Sequence, residues 1–150
     1  MKVCIGGTFN ALHKGHKSLL DKAFEVAGRN GSVFIGLATG KLVENKRSVK
    51  SLEIRKKNLE KYLNQKGFFN QAKIEPIEDK YGLAIDEDFD AIIVSPETIK
   101  TAEEINKKRV QKSKKPLKII QIPFVLAKDG KPISSTRIIN KEIDENGDVL

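Results

Sequence analysis

Two histidines near the start of the chain are the residues best suited to chemistry. His13 and His16 lie three positions apart, so both side chains can point to one side of a helix that starts there. Gly6 and Gly7 end the apolar run before them and allow a sharp turn and the close approach of a ligand. This stretch matches neither GxGxxG nor GxxxxGK[ST], which disfavours a Rossmann dinucleotide site and a P-loop. Because a helix start after a strand favours anions, the pattern predicts a phosphate site built with histidines.

A metal site and an ordinary helix start are the plainer interpretations of the histidine pair. Two ligands with no third one nearby make a poor metal site, and no group of Cys and His has zinc spacing. We therefore predict no metal bound directly by the protein. The lone Cys4 lies in an apolar run, which indicates a buried small side chain rather than a nucleophile.

The elements that must position the histidines alternate between strand and helix patterns. Strands are predicted at 2–6, 32–38, 72–77, 91–94 and 117–122, and helices at 14–27, 52–65, 98–112 and 134–143. This alternation predicts an α/β fold with a doubly wound, five-stranded parallel sheet, as a single domain over 1–150. Ligands bind at the carboxyl ends of the strands in such sheets. The polar loop 39–51 follows the second strand on that side, and its Lys41 and Lys46 are both candidates to contact phosphate.

A hydroxyl-rich segment near the carboxyl end is the second candidate phosphate site. Ser134, Ser135 and Thr136 stand at a predicted helix start, where hydroxyls and free backbone N–H groups can hold phosphates. Arg137 can bind a phosphate through two hydrogen bonds. The alternative is a helix N-cap beside a surface arginine.

The segment Val-Ser-Pro-Glu-Thr at 94–98 follows a buried strand and precedes a helix. Ser95 and Glu97 there are candidates to contact a nucleotide, and a helix-capping arrangement is an equally good interpretation. Asn106 and Arg109 lie one helical turn apart further along, and we treat them as possible nucleotide contacts.

Composition sets outer limits on function. The 150 residues carry a net charge of +8 with 6% aromatic residues. Lysines crowd at 107–115 without interleaved aromatics, so solvated surface and binding of small polyanions are better interpretations than a nucleic-acid module. No apolar run approaches the roughly 18 residues of a membrane span, and the chain starts on a strand pattern without a leader. With a single cysteine, these features favour a cytoplasmic protein without membrane contact.

The motifs resemble those of one superfamily. Gly7-Thr8-Phe9-Asn10 followed by the His-Lys-Gly-His segment resembles the GTF[D/N]…HxGH motif of the nucleotidyltransferases. The segment 133–137 resembles their ISST/ISSS-x-R motif, and 94–98 resembles the VS-x-ET segment of the archaeal and eukaryotic phosphopantetheine adenylyltransferases. Relatives often carry a second basic residue two positions after the arginine, where this chain has Ile139.

The resemblance implies that the chain transfers the adenylyl group of ATP to 4′-phosphopantetheine, giving dephospho-coenzyme A and pyrophosphate. Alternatives are another cytidylyl- or adenylyltransferase, for example with FMN or glycerol-3-phosphate as acceptor. Mg²⁺ is expected to arrive on the triphosphate, and a monomer is favoured.

The resemblance also implies roles for particular residues. Thr8 would position the acceptor phosphate and the α-phosphate, while His16 donates to the α-phosphate and His13 does likewise or aligns the β-phosphate. A loop lysine would hold the departing pyrophosphate. We expect Lys46 to be this catalytic lysine. The residues expected around the nucleotide are Gly6, Gly7, Phe9, Asn10, Gly15, Lys41, Ser95, Glu97, Ser134, Ser135, Thr136 and Arg137.

Overall fold

A computed structural model describes residues 1–44, 46 and 48–150 of the chain. The strands are β1 (Lys2–Gly7), β2 (Ser32–Ala38), β3 (Ala72–Ile77), β4 (Ala91–Val94) and β5 (Lys118–Gln121). The helices are α1 (Lys14–Ala27), α2 (Leu52–Lys66), α3 (Ile99–Gln111) and α4 (Ser135–Ile139). Short 3-10 helices cover Gly40–Leu42 and Phe69–Gln71. These bounds confirm the predicted elements to within one or two residues, except at α4.

The five strands form one parallel sheet in the order β3-β2-β1-β4-β5. This confirms the doubly wound α/β fold. The chain moves outward from β1 to β3 and then returns to place β4 on the other side of β1, so the order reverses between β1 and β4. The carboxyl ends of these two strands therefore border the crevice where open α/β sheets bind ligands.

Alternating side chains of the strands fill two separate cores. On one face Val3 and Ile5 pack with apolar residues of α1 and α2, such as Leu20 and Leu59. On the other face Cys4 and its neighbours in β4 pack against α3. Burial on both faces explains why β2 and β4 read as nearly continuous apolar runs in the sequence.

Pro76 lies inside β3, which is an edge strand of the sheet. An edge position suits proline because one side of the strand needs no N–H donors for a ladder. The sequence predicts a strand over 72–77 that is broken at Pro76. The bounds are confirmed, but the break is not, because Pro76 and Ile77 continue the pairing with Leu37 and Ala38 of β2.

The closing helix is shorter than predicted. It ends at Ile139 rather than Ile143, because Lys141 adopts a left-handed backbone with φ of 60°. Ile143 then pairs with Val149 in an isolated antiparallel bridge and is fully buried with Ala127 and Ile133 in a third, small core. Packing of the last residues therefore overrides the helical pattern.

Among the described residues, the helices are all too short or too polar to cross a bilayer.

Candidate active site

His13 is the N-cap of α1, and its ring holds the start of that helix. Its Nδ1 accepts hydrogen bonds from the backbone N–H groups of Gly15, at 3.0 Å, and His16, at 3.3 Å. Gly15 is required here because a Cβ at that position would lie 2.8 Å from Cε1 of His13. With Nδ1 accepting, we assign the proton of the neutral ring to Nε2. His13 can therefore donate one hydrogen bond through Nε2.

The ring of His16 is in the opposite tautomer. Its Nδ1 lies 2.9 Å from the carbonyl oxygen of Ala11 and 3.4 Å from the backbone nitrogen of His13. The first contact needs a proton on Nδ1 and the second needs a lone pair, so the two exclude each other. The shorter contact decides the assignment, which leaves Nε2 of the neutral ring as an acceptor. His16 can donate through Nε2 only when the ring is doubly protonated.

The two rings stack with their centroids 3.7 Å apart. His13 is buried and His16 is half-buried. Removal from water lowers the pKa of His13 to about 4. Burial and the neighbouring His13 ring lower the pKa of His16 to about 3, against the opposing effect of the Ala11 carbonyl. Both rings are therefore neutral at neutral pH when no anion faces them.

Lys46 is the loop lysine that reaches the glycine turn. Its Nζ donates a hydrogen bond of 2.8 Å to Oγ1 of Thr8, which follows the last residue of β1. Lys41 is exposed on the 3-10 helix after β2. Of the two lysines that the sequence left open, the structure places Lys46 beside Thr8.

The side chains of two residues expected at the nucleotide, Phe9 and Asn10, have structural roles. Phe9 is 1% exposed and lies in the main core, with its ring centroid 5.1 Å from that of His16. Asn10 is 5% exposed; its amide donates to the carbonyl of Ser48 and accepts from the N–H of Lys50. Packing and loop bridging occupy both side chains, and the expected contacts of Phe9 and Asn10 with the nucleotide stay predictions.

Arg55 is a buried residue of this region that the sequence did not single out. It is 2% exposed on the first turn of α2 and donates hydrogen bonds to the carbonyls of Thr8, Ala38 and Lys50. In the sequence it begins the basic run Arg55-Lys56-Lys57, a composition that is typical of solvated surface. No motif could have shown its role, because its partners are main-chain atoms.

The carboxyl-terminal segment presents its hydroxyls at the start of α4. Ser134 is the N-cap and accepts from the N–H of Arg137 at 3.2 Å, as the capping interpretation predicts. Ser135 is half-buried and Thr136 is exposed. The nearby chain also contacts α1, since the N–H of Lys14 donates to the carbonyl of Glu145 at 3.2 Å. The two ends of the chain therefore meet at this edge of the sheet.

Arg137 is held by two carboxylates and a main-chain carbonyl. Its guanidinium makes an ion pair with Asp129, donates to the carbonyl of Pro132 at 3.0 Å, and lies 3.6 Å from a carboxylate oxygen of Glu142. These partners raise the pKa of Arg137, and Arg137 in turn lowers the pKa of Asp129. A phosphate would have to compete with Asp129 for this guanidinium.

The segment 94–98 forms a tight turn between β4 and α3. The hydroxyl of Thr98 accepts from the N–H of Ser95 at 3.1 Å, so Thr98 bonds backward and makes no capping bond to the helix. Ser95 is half-buried and Glu97 is exposed. The structure thus places both candidates at the carboxyl end of β4, beside the crevice.

Asn106 and Arg109 are not available as nucleotide contacts. The amide of Asn106 exchanges two hydrogen bonds with the backbone of Leu117. Arg109 is 3% exposed and donates to four carbonyls, those of residues 84, 85, 87 and 115. Both side chains are consumed in tying α3 to its neighbours, which corrects the expectation from the sequence.

An apolar cavity of about 220 Å³ adjoins the glycine turn. Its walls come from β1, β2, β4 and α3, and the segment 77–84 covers it. Cys4 and Ile92 line its buried end, where burial raises the pKa of the Cys4 thiol to about 12. Thr8 and Lys46 are solvent-accessible and mark its open end. Other polar side chains of the lining are Lys80, Tyr81, Thr98 and Thr101.

The cover of the cavity is tied to α3 by a small polar cluster. The hydroxyl of Tyr81 donates to Glu104 at 2.6 Å, and Lys80 lies 2.9 Å from the same carboxylate. Underneath, Gly36 is close to the cover: a Cβ there would lie 2.9 Å from Cδ1 of Ile77. The width of the cavity is thus set partly by the absence of a side chain at Gly36.

Many of the lysines at 107–115 have intramolecular partners. Lys112 pairs with Asp86 at 2.9 Å, Lys114 donates to the carbonyl of Asp86, and Lys108 lies over the Tyr81 ring. The described residues contain no group of three His, Cys, Asp or Glu side chains placed to hold a metal.

Comparison with known proteins places the chain among nucleotidyltransferases. A family described as Cytidylyltransferase-like matches residues 4–141. A protein of Methanosarcina mazei named phosphopantetheine adenylyltransferase is 47% identical over 147 residues, covering 97% of this chain and 95% of its own. A protein of the same name from Archaeoglobus fulgidus is 41% identical over the whole of both chains.

A similar fold is found in a crystal structure from Archaeoglobus fulgidus that is described as a protein with unknown function. It aligns with a TM-score of 0.74 at 39% identity, over 81% of this chain and 89% of that one.

Proposed function

Because the chain belongs to the cytidylyltransferase-like family, in the group of the archaeal phosphopantetheine adenylyltransferases, we propose that it transfers the adenylyl group of ATP to 4′-phosphopantetheine. The products are dephospho-coenzyme A and pyrophosphate. One observation of the site supports the proposal: a hydroxyl and an ammonium group that are able to bind phosphate, those of Thr8 and Lys46, line an apolar cavity. This arrangement suits an acceptor with a phosphate at one end and a long, weakly polar arm.

Adenylyl transfer needs positioning and neutralisation of charge rather than a covalent intermediate. An oxygen of the acceptor phosphate attacks the α-phosphorus of ATP while the bond from that phosphorus to the bridging oxygen breaks, and pyrophosphate leaves with the electron pair. Thr8 and Lys46 hold the acceptor phosphate in line. Lys46 takes this role rather than the one expected for a loop lysine at the departing pyrophosphate, because its Nζ lies beside Oγ1 of Thr8. Nε2 of His13 donates a hydrogen bond to the α-phosphate in its neutral form.

His16 donates to the α-phosphate as a doubly protonated ring. The Nδ1–H bond to Ala11 fixes the ring orientation, and the triphosphate favours the charged ring because an adjacent negative charge raises a histidine pKa. Ser134, Ser135, Thr136 and Arg137 hold the departing pyrophosphate after Arg137 exchanges Asp129 for a phosphate. Mg²⁺ bound to the triphosphate supplies further neutralisation, and we propose that it enters with ATP.

Release of pyrophosphate from ATP with Mg²⁺ tests the proposal. The acceptors are 4′-phosphopantetheine, FMN, nicotinamide mononucleotide and glycerol-3-phosphate, and the panel is repeated with CTP. We expect release only with ATP and 4′-phosphopantetheine together. Release with another acceptor or with CTP would show that the proposed substrate is wrong. If folded protein released no pyrophosphate with any combination, the proposed activity would be rejected.

A substitution in the cavity tests where the acceptor arm lies. Gly36→Ala pushes Ile77 into the cavity, because the new Cβ would lie 2.9 Å from its Cδ1. We expect KM for 4′-phosphopantetheine to rise by roughly tenfold, the effect of about one misfitted methyl group, with KM for ATP within twofold of the original. Equal changes in both KM values would place the arm elsewhere.

A further inference from the structure

Arg55 is a buried cation, and its hydrogen bonds to residues that the structure describes all go to main-chain carbonyls. Nε donates to the carbonyl of Lys50 at 2.8 Å, and Nη1 donates to those of Thr8 at 3.1 Å and Ala38 at 2.6 Å. Among the residues that the structure describes, no carboxylate pairs with it. A buried charge is costly without partners, so these carbonyls must stay in place around the guanidinium.

The three carbonyls belong to three separate segments that meet at the candidate active site. Thr8 follows β1, Ala38 is the last residue of β2, and Lys50 ends the loop that carries Lys46. Asn10 adds a second link to the same loop through Ser48 and Lys50. Arg55, on the first turn of α2, thus connects the Thr8 turn to the lysine loop through its buried guanidinium.

We infer that Arg55 is a positioning residue for adenylyl transfer, which fixes the Thr8 turn and the lysine loop so that Nζ of Lys46 reaches Oγ1 of Thr8. The inference depends on the proposed function only for the identity of the reaction that Arg55 supports. The planar guanidinium sets the directions of its hydrogen bonds, and a lysine at this position has one nitrogen for three carbonyls. Without the guanidinium and its three hydrogen bonds, the Thr8 turn and the lysine loop can shift relative to each other.

Arg109 provides a matched control within the same chain. It is buried to a similar degree, at 3% exposed, and its described hydrogen bonds also go to carbonyls, those of residues 84, 85, 87 and 115. Ala84 lines the cavity proposed for the acceptor arm, so Arg109→Lys can change KM for the acceptor, and kcat at saturating acceptor is the quantity to compare. Arg55→Lys and Arg109→Lys therefore remove similar interactions from a buried environment. Only the first alters the attachment of the Thr8 turn.

The test measures kcat, both KM values and thermal stability of the two variants. We expect Arg55→Lys to lower kcat by roughly 10- to 100-fold, the range for small misplacements of reacting groups, and Arg109→Lys to leave kcat within about threefold at a similar loss of Tm. When Lys46→Ala is already present, adding Arg55→Lys should lower kcat by less than a further threefold, because Arg55 acts through Lys46. Equal kcat for the two lysine variants, or fully multiplicative losses with Lys46→Ala, would overturn the inference.

Hydrogen exchange of the free protein separates this inference from the proposed function. Arg55→Lys should speed exchange in peptides covering 5–12 and 38–51, and Arg109→Lys should not. If the wild-type chain fails with 4′-phosphopantetheine, the exchange pattern still decides whether Arg55 holds this region. Unchanged exchange there would overturn the role. If Arg55→Lys and the milder Arg55→Gln both unfold below the assay temperature, Arg55 is a residue of the fold and the positioning role is rejected.

Discussion

The segment from Gly6 to His16 and the segment from Ser134 to Arg137 both present groups suited to anions, but they are held in place differently. The first is fixed from within the fold: His13 caps α1, Ala11 orients His16, and Arg55 binds Thr8 from below. The second depends on ion pairs near the surface, with Arg137 bound to Asp129 and Glu142.

The difference indicates different parts in the proposed reaction. Groups that stabilise a transition state act best when they are already in place, because reorganisation then costs nothing at the moment of reaction. Groups that bind and release a leaving group can exchange partners, since surface ion pairs are weak. We therefore expect substitutions in the first segment to affect kcat and those in the second to affect mainly binding of ATP.

His16→Ala is the change expected to have the largest effect. It removes the charged donor to the α-phosphate and should lower kcat by roughly a hundredfold or more, as for one lost oxyanion donor. Affinity for ATP should change little, because the cost of protonating a ring with a pKa of about 3 offsets its attraction to the bound triphosphate, whereas the hydrogen bond strengthens in the transition state. Rapid-mixing measurement of kcat together with calorimetric binding of ATP checks both. A kcat near that of the wild type would remove His16 from the mechanism.

His13→Asn separates catalysis from helix capping. Asparagine is a good N-cap and can accept from the N–H groups that His13 now holds, so Tm should stay close to that of the wild type. Loss of the Nε2–H donor should lower kcat by roughly tenfold to a hundredfold. His13→Ala is the comparison, and it should lose about 1 kcal/mol of unfolding free energy as well. If His13→Asn kept full activity, the ring would be a cap and nothing more.

Stability should fall as the pH is lowered from 6.5 to 4.5. The folded pKa of His13 is about 4 against 6.5 in the unfolded chain, so the unfolded state binds more protons in this window and gains stability from acid. For His13 alone the loss is about 2 kcal/mol. The loss is complete below the folded pKa and absent above 6.5. The free energy of unfolding in urea is measured for the wild type and His13→Asn at pH 6.5 and 4.5. An equal loss in the two proteins would contradict the lowered pKa of the buried His13 ring.

The fold and the site were not equally readable from the sequence. Strand and helix bounds followed from apolar runs and from glycines such as Gly28 and Gly67, which end α1 and α2. The glycine–histidine pattern located the site because its spacing is local. Arg55 could not be found, since its partners are main-chain carbonyls, two of which lie 17 and 47 residues away along the chain. Phe9 and Asn10 were assigned to the nucleotide by their motif, although the fold uses both.

Arg137→Gln should have a smaller effect than the histidine changes. It removes the bidentate phosphate donor, so KM for ATP should rise by roughly tenfold, while kcat falls by less than about threefold. Initial rates at varied ATP and saturating acceptor measure both. A loss confined to kcat would place Arg137 with the transition-state groups and erase the contrast between the two segments.

Asp129→Asn should have the smallest effect, in the opposite direction. It removes the ion pair with Arg137 and a negative charge near the proposed pyrophosphate position. KM for ATP should therefore fall by at most about threefold. The same rate measurements show it, with Asp148→Asn as a control, because Asp148 pairs with Lys128 instead. A rise in KM would mean that Asp129 orients Arg137 for the phosphate rather than competing with it.

The most direct test of the whole account follows the α-phosphorus. ATP labelled at the α-phosphate is incubated with the protein, Mg²⁺ and 4′-phosphopantetheine, and the labelled products are separated. The account predicts label in dephospho-coenzyme A in amounts equal to the pyrophosphate released, and a rate roughly a hundredfold or more lower for His16→Ala. Label confined to ATP, or appearing only in AMP or ADP, would contradict it.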